Sequence, residues 1–218
     1  MLATRNGHKL REFARLLDGS AGLPGIDLEA LPEGVVLPPE DGQTFAENAL
    51  GKARAAAAAT GRASMADDSG IAAAALGGAP GVRSARFAGE GASDRENLDK
   101  LLREAPEGSA LEYVCAIAYV DPAAGLERVF EGRCSGRLTA RPRGERGFGY
   151  DPAFLPDDGP TTPAEPGDTR YARVPEPVSG APLTMAELSD EQKDAISHRG
   201  RAARALLHWL ENRSNADR

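Results

Sequence analysis

Hydrophobic residues fall at helical spacing at Leu10, Phe13, Leu16 and Leu17, at Leu98, Leu101 and Leu102, and from Ala202 through Leu206, Leu207, Trp209 and Leu210. Each set predicts an amphipathic helix with one buried stripe. Thr44-Phe45-Ala46-Glu47 has the spacing of a capping box and opens an alanine-rich run that stops at Thr60-Gly61. Ser93-Asp94-Arg95-Glu96 repeats that pattern ahead of the leucine stripe. Thr184 to Glu187 and Ser189 to Gln192 mark another helix start, and Ser197-His198-Arg199-Gly200 separates it from the last helix. Glu112 to Val120 and Leu126 to Arg133 are β-branched and aromatic runs joined by a Pro/Gly turn, which predicts a hairpin. Ile26 to Leu31 and Ala63 to Ala66 predict short strands, Met1 to Ala3 the end of another, and Ile71 to Leu76 one or two helical turns.

Two stretches have no sustained period. In Gly144 to Phe154, Phe148 and Tyr150 alternate with Gly147 and Gly149, so a ring can meet a flat base while the backbone approaches its edge; the same aromatics also suit a core. Leu155 to Pro182 is rich in Pro, Gly and acidic residues and predicts a long loop. The expectation is a single domain with an insertion at about 157–182.

A chain of 218 residues with 41% hydrophobic content can bury a sizeable core. Its net charge of −7 argues against a general binder of nucleic-acid backbones, so any nucleotide-like ligand should be small. Cys115 and Cys134 lie in apolar strand-like runs and read as core residues without a disulfide. The opening MLATRNGHK turns polar after three residues, and no stretch approaches a membrane span. A soluble cytoplasmic protein is expected.

The candidate chemistry starts at Asp67-Asp68-Ser69-Gly70, two adjacent acids directly after a predicted strand. Neighbouring strand residues point to opposite faces, so one acid can face a cleft while the other fixes the turn. Ser69 and Gly70 add a hydroxyl and a permissive backbone, which suit an anion or a hydrated cation. By itself DDSG also reads as an ordinary turn. Thr4-Arg5-Asn6-Gly7-His8-Lys9 precedes the first predicted helix, where free N–H groups, the helix dipole and the Lys9 ammonium would favour phosphate. Its plain alternative is a capped surface helix with a solvated lysine. Lys52 lies about two turns into the alanine-rich helix and could reach back toward the acid pair; its plain alternative is a solvent-facing lysine. Lys193 sits in a first helical turn, where a cation is disfavoured unless something else needs it.

Taken in order, ATRNGHK, the ENALGKA segment after Glu40, ADDSG with GGAPGVRSARF, FGYDPAF and EQKDAISHRG closely resemble the inosine triphosphate pyrophosphatase family, the Ham1-like XTP/dITP diphosphatases. The resemblance runs from Leu2 to about Trp209. It implies an α/β fold with a mixed central sheet flanked by helices, two lobes with an active-site cleft between them, and a homodimer. It also implies hydrolysis of the purine nucleoside triphosphates ITP, dITP and XTP to monophosphate and pyrophosphate with Mg²⁺. Carried onto this chain, Thr4, Arg5, Asn6, Gly7, His8 and Lys9 would grip the phosphates and Lys52 would neutralise them. Asp68 would be the base or metal-linked activator of water, and Glu40 would share the metal with it. Ser69 would touch the phosphate or the metal shell, and Phe148 would stack on the base. Gly149, Tyr150 and Asp151 would line the base pocket, with Lys193, His198 and Arg199 completing recognition.

The charges agree with these roles. A triphosphate brings about four negative charges, and lysines, an arginine and a divalent metal from separate segments balance them in an acidic chain. A 6-oxo purine offers an acceptor where adenine offers a donor, so amides near His198 and Arg199 can discriminate the two. Three features depart from the family pattern: Arg5 stands where many relatives carry glycine, the first strand is short, and the 157–182 region is long. Two other functions fit the same residues. One is a pyrophosphatase for another modified nucleotide, such as a pyrimidine. The other is a nucleotide-binding regulator without turnover, against which Glu40, Lys52, Asp68 and Lys193 together weigh.

Overall fold

The computed structural model describes residues 1–17, 28–159 and 182–216, with side chains described through Arg213. Most of the predicted 157–182 insertion lies outside the described residues. The elements in chain order are α1 (Gly7–Leu17), α2 (Phe45–Thr60), β1 (Ser64–Ala73), α3 (Asp94–Glu104), β2 (Ala110–Asp121), β3 (Leu126–Leu138), β4 (Phe154–Pro156), α4 (Asp190–Ile196) and α5 (His198–Ala216). The strands form one sheet in the order β1-β2-β3-β4, and β4 runs antiparallel to β3 with Leu138 opposite Phe154. Parallel bridges from Leu2 to Ala30 and to Met65 make the pairing mixed, as expected.

By its contacts the chain divides into two compact units. One comprises Met1–Ser69, Cys115–Gly132 and His198–Arg218, and the other Gly70–Val114 and Arg133–Ser197. In the first unit, strand alternation sorts side chains between two apolar clusters. Cys115 and Ile117 of β2 pack with Leu2, Phe13 of α1 and Ala202, Ala203, Leu206 and Leu207 of α5. Ala116, Ala118 and Val120 pack on the other side with Ala49, Ala53, Ala56 and Ala57 of α2. In the second unit Ile71, Leu98, Leu101, Leu111, Tyr113, Leu138, Phe154 and Met185 form the core.

The predicted helix starts are present. The Thr44 hydroxyl accepts from Glu47 N at 3.1 Å, while the Glu47 carboxylate reaches one residue further back, to Gln43 N at 2.7 Å. The boxes at Ser93 and Ser189 are complete. Both cysteines are free and buried. Among the described residues no helix is long and apolar enough to cross a membrane.

Three expectations change. β1 does not stop before the acid pair but continues through Asp67, Asp68, Ser69 and Gly70 to Ala73. The predicted helical turns at Ile71 to Leu76 shrink to a 3-10 turn at Ala74–Leu76, closed by Gly77 at φ 62°. Pairing in the sheet and burial of Ile71 and Ala73 outweigh local helix preference there. Thr184 to Glu187 forms turns, and α4 begins only after the Ser189 cap. Of the predicted Ile26 to Leu31 strand, the described part supplies only the bridge at Ala30.

A buried charge cluster around the acid pair

Asp67 and Asp68 are both buried, and their surroundings separate them. Asp67 Oδ2 lies 2.9 Å from the Lys9 ammonium and 3.5 Å from Arg199 Nε. Asp68 instead accepts from Asn48 Nδ2 at 2.9 Å and from its neighbour Ser69 N at 3.0 Å, with Lys52 Nζ 3.8 Å away. Burial pushes against ionisation of Asp67, but Lys9, Arg199 and Lys52 overcome it and hold the carboxyl at about 2. Burial dominates at Asp68, with Glu40 adding repulsion, so its pKa lies above the usual value despite Lys52. Two neighbouring aspartates thus divide into a permanent anion and a carboxylate that takes a proton more readily.

Each partner is delivered by a recognisable element. Asn48 and Lys52 are four residues apart on α2 and share a face. Lys52 donates to Glu40 Oε1 at 2.5 Å. Burial lowers the Lys52 pKa less than Asp67, Asp68 and Glu40 raise it, so the ammonium stays protonated. Glu40 is held below its ordinary value because Lys52 outweighs the effect of burial. Arg199 enters from the first turn of α5, where it donates to Ser69 Oγ at 2.8 Å and pairs with the buried Glu12 of α1. Gly132 permits this approach: a Cβ there would stand 2.1 Å from His198 O and 2.5 Å from Ala202 N. His198 is buried as the first residue of α5.

The Thr4 to Lys9 segment differs from expectation in two respects, at its amides and at Arg5. The amides of His8 and Lys9 are not free donors, because Asn6 Oδ1 caps them at 2.9 and 3.2 Å, and Thr4 Oγ1 accepts from Asn6 N at 3.2 Å. Short polar side chains at a helix start satisfy exposed amides locally. Gly7 opens the helix, and His8 Nδ1 lies 3.1 Å from Arg11. Arg5 points its guanidinium at main-chain carbonyls of residues 31–35.

In the second unit, the Gly147 to Asp151 segment wraps around one carboxylate. Asp151 Oδ2 accepts from Lys193 Nζ at 2.7 Å and Phe148 N at 3.0 Å, and Oδ1 accepts from Tyr113 OH at 3.0 Å. This carboxylate is what needs a cation in α4. The Lys193 ammonium also lies 5.3 Å from the centre of the Phe148 ring. Gly147 has φ 72°, and a Cβ there would meet Asp151 Oδ2 at 2.1 Å, so only glycine fits. Gly149 N donates to Asp94 Oδ2 at 3.0 Å. Tyr150 packs in the apolar core, with its hydroxyl donating to Ser84 O at 2.8 Å.

Lys9, Glu40, Lys52, Asp68, Ser69 and Arg199 therefore meet in one cluster, and Phe148, Asp151 and Lys193 in another. Sequence reasoning passed over Glu12, Asn48, Tyr113 and Asp94. Glu12 and Asn48 carried a signal, being polar residues one helical turn from Lys9 and Lys52 respectively. Among the described residues no three His, Cys, Asp or Glu side chains form a metal-binding group. Glu40 and Asp68 flank one ammonium, and Asp67 Oδ1 is buried without a hydrogen-bond partner. Among the described residues, Glu40 and Asp68 are carboxylates on either side of Lys52, and one or two carboxylates of this kind suit a hard divalent cation completed by ligand oxygens and water.

A sheet carrying paired acids ringed by lysine and arginine defines a class of site built to handle a polyanion. The chain belongs to the Ham1 family, whose sequence profile matches residues 1–209. A protein of Mycolicibacterium paratuberculosis named dITP/XTP pyrophosphatase is 45% identical over 224 residues, covering 99% of this chain and 97% of its own. One of the same name from Frankia alni is 46% identical, with 96% of each covered. Among solved structures, a HAM1 protein from Coxiella burnetii superimposes with TM-score 0.74 at 35% identity over 97% of both chains. A nucleoside-triphosphatase, dITP/XTP pyrophosphatase, from Mycobacterium abscessus does so with TM-score 0.66 at 41% identity over 96% of this chain and 97% of its own.

Proposed function

We propose that this chain is a nucleoside triphosphate pyrophosphatase that hydrolyses the deaminated purine nucleotides dITP, ITP and XTP to monophosphate and pyrophosphate, keeping them out of DNA and RNA. The observation that carries the reading is the buried acid pair, with Lys9 and Arg199 on Asp67 and Asn48 and Lys52 on Asp68, in a chain 45% identical to a protein named for that activity. Lys9, Lys52 and Arg199 oppose the charge of the phosphates, with Thr4, Asn6, Gly7, His8 and Ser69 beside them. Asp68 orients a water and takes its proton as the water oxygen bonds to the α-phosphorus. The bond from that phosphorus to the bridging oxygen breaks, and pyrophosphate leaves with the electron pair. Asp67 stays ionised and keeps Lys9 and Arg199 in place. Glu40 and Asp68 are the residues that would hold a divalent metal, Mg²⁺, and the ion would supply positive charge to offset that of the phosphates. Phe148 stacks on the base, Gly149 and Asp151 shape its pocket, and Lys193 and His198 complete recognition of the nucleotide. The protein acts as a cytoplasmic homodimer.

The test is pyrophosphate release from ITP, dITP, XTP, ATP and GTP with Mg²⁺, beside an EDTA control. The expected result is metal-dependent cleavage of the first three far above ATP and GTP. Preference for a modified pyrimidine would overturn the purine assignment, and nucleotide binding without any release would make the protein a regulator.

A further inference from the structure

Arg5 does something different from its neighbours in the Thr4 to Lys9 segment. Its Nη1 donates to Leu31 O at 2.9 Å, and its Nη2 lies 2.7 Å from Pro32 O, 3.2 Å from Glu33 O and 3.0 Å from Val35 O. One guanidinium therefore gathers four carbonyls from a five-residue turn, itself closed by Val35 N donating to Pro32 O at 3.1 Å. The fork geometry of arginine suits this, and a lysine ammonium could not span the same set. Residues 35–42, which follow, belong to no helix or strand. Their position depends on anchors at the two ends.

The far end is anchored on α2. Pro38 Cγ would be 3.7 Å from a Cβ at Gly51, Lys52 donates to Glu40, and Gly42 N donates to Asn48 Oδ1 at 2.8 Å. Asn48 is also the residue that holds Asp68. Leu31, Leu37 and the α2 alanines share one apolar cluster, and Val36 between them is exposed. Pro38 and Pro39 restrict the chain leading into Glu40, so a shift at residue 35 carries forward rather than being absorbed.

We propose that Arg5 is a positioning residue whose guanidinium clamps the 31–35 main chain and thereby holds Glu40 beside Lys52 and Asp68. The part concerning metal rests on the function proposed above, and the clamp itself does not.

The test compares wild type with Arg5→Ala and Arg5→Lys, the second keeping charge and most of the stem. Hydrogen exchange of the protein without ligand should quicken at residues 31–43 in both variants, with α2 as protected as in wild type. With ITP, the Mg²⁺ concentration for half-maximal rate should rise about tenfold in both, the scale of one hydrogen bond to a charged group. Unchanged exchange at 31–43 in Arg5→Lys would overturn the clamp. So would a Lys variant matching wild type while Arg5→Ala raises only the KM for ITP, since that is the behaviour of a point charge on phosphate. If wild type releases no pyrophosphate, the function fails and exchange alone decides the clamp.

Discussion

Asp67 and Asp68 are the same residue type at adjacent positions, and what divides them is which cations each meets. Asp68 keeps a raised pKa, so the acid limb of kcat/KM for ITP is expected above the ordinary aspartate value of about 3.9. A pH profile from 4 to 9 checks this. Asp68→Asn should lower turnover by at least about a hundredfold while leaving nucleotide binding largely intact, read by steady-state rates and equilibrium binding of ITP. Asp67 runs the opposite way. Its folded pKa of about 2 lies below the ordinary value, so its stabilisation is present above pH 4 and lost as pH falls toward 2. The magnitude is about 2 kcal/mol. In urea unfolding at pH 4 and below, Asp67→Asn should show a weaker loss of stability with acid than wild type. The sequence displayed the pair but not this division, because Lys9, Arg199 and Lys52 come from three helices far apart in the chain.

At the scale of elements, the helix starts were legible because capping is local: Ser93 and Ser189 find their amides within three residues. The path of β1 through Asp67 to Ala73 was not, since its continuation depends on pairing with a strand some forty residues later. Nor was the buried face of α2, since alanine occurs all around the helix and periodicity has nothing to detect. Packing chooses Ala49, Ala53, Ala56 and Ala57 to face Ala66, Ala116 and Ala118. Ala53→Leu should therefore overpack this face and cost about 1–3 kcal/mol, checked by denaturant unfolding. Gly132→Ala, which places a Cβ against the first turn of α5, should displace Arg199. Its activity should fall by more than its melting temperature explains.

At the scale of the whole molecule, each compact unit is assembled from separate stretches of sequence, and the boundaries fall inside β1, β2 and β3 and between α4 and α5. Removal of 198–218 takes Ala202, Ala203, Leu206 and Leu207 from a core shared with α1 and β2. A chain ending at Ser197 should fail to fold, as seen by loss of a cooperative thermal transition. The proposed homodimer is checked by light scattering across a concentration series.

By itself the sequence determined the helix stripes, the caps, the hairpin and the motif order that marks the family, because these are properties of neighbours along the chain. The tertiary structure alone decided that Arg5 binds the carbonyls of residues 31–35, that Tyr150 is a core residue, and that Glu12 supports Arg199. Those outcomes turn on which groups distant in the chain the fold brings together. Where they are buried, each charge must find its counter-charge or hydrogen bond, and linear order does not say which one it finds.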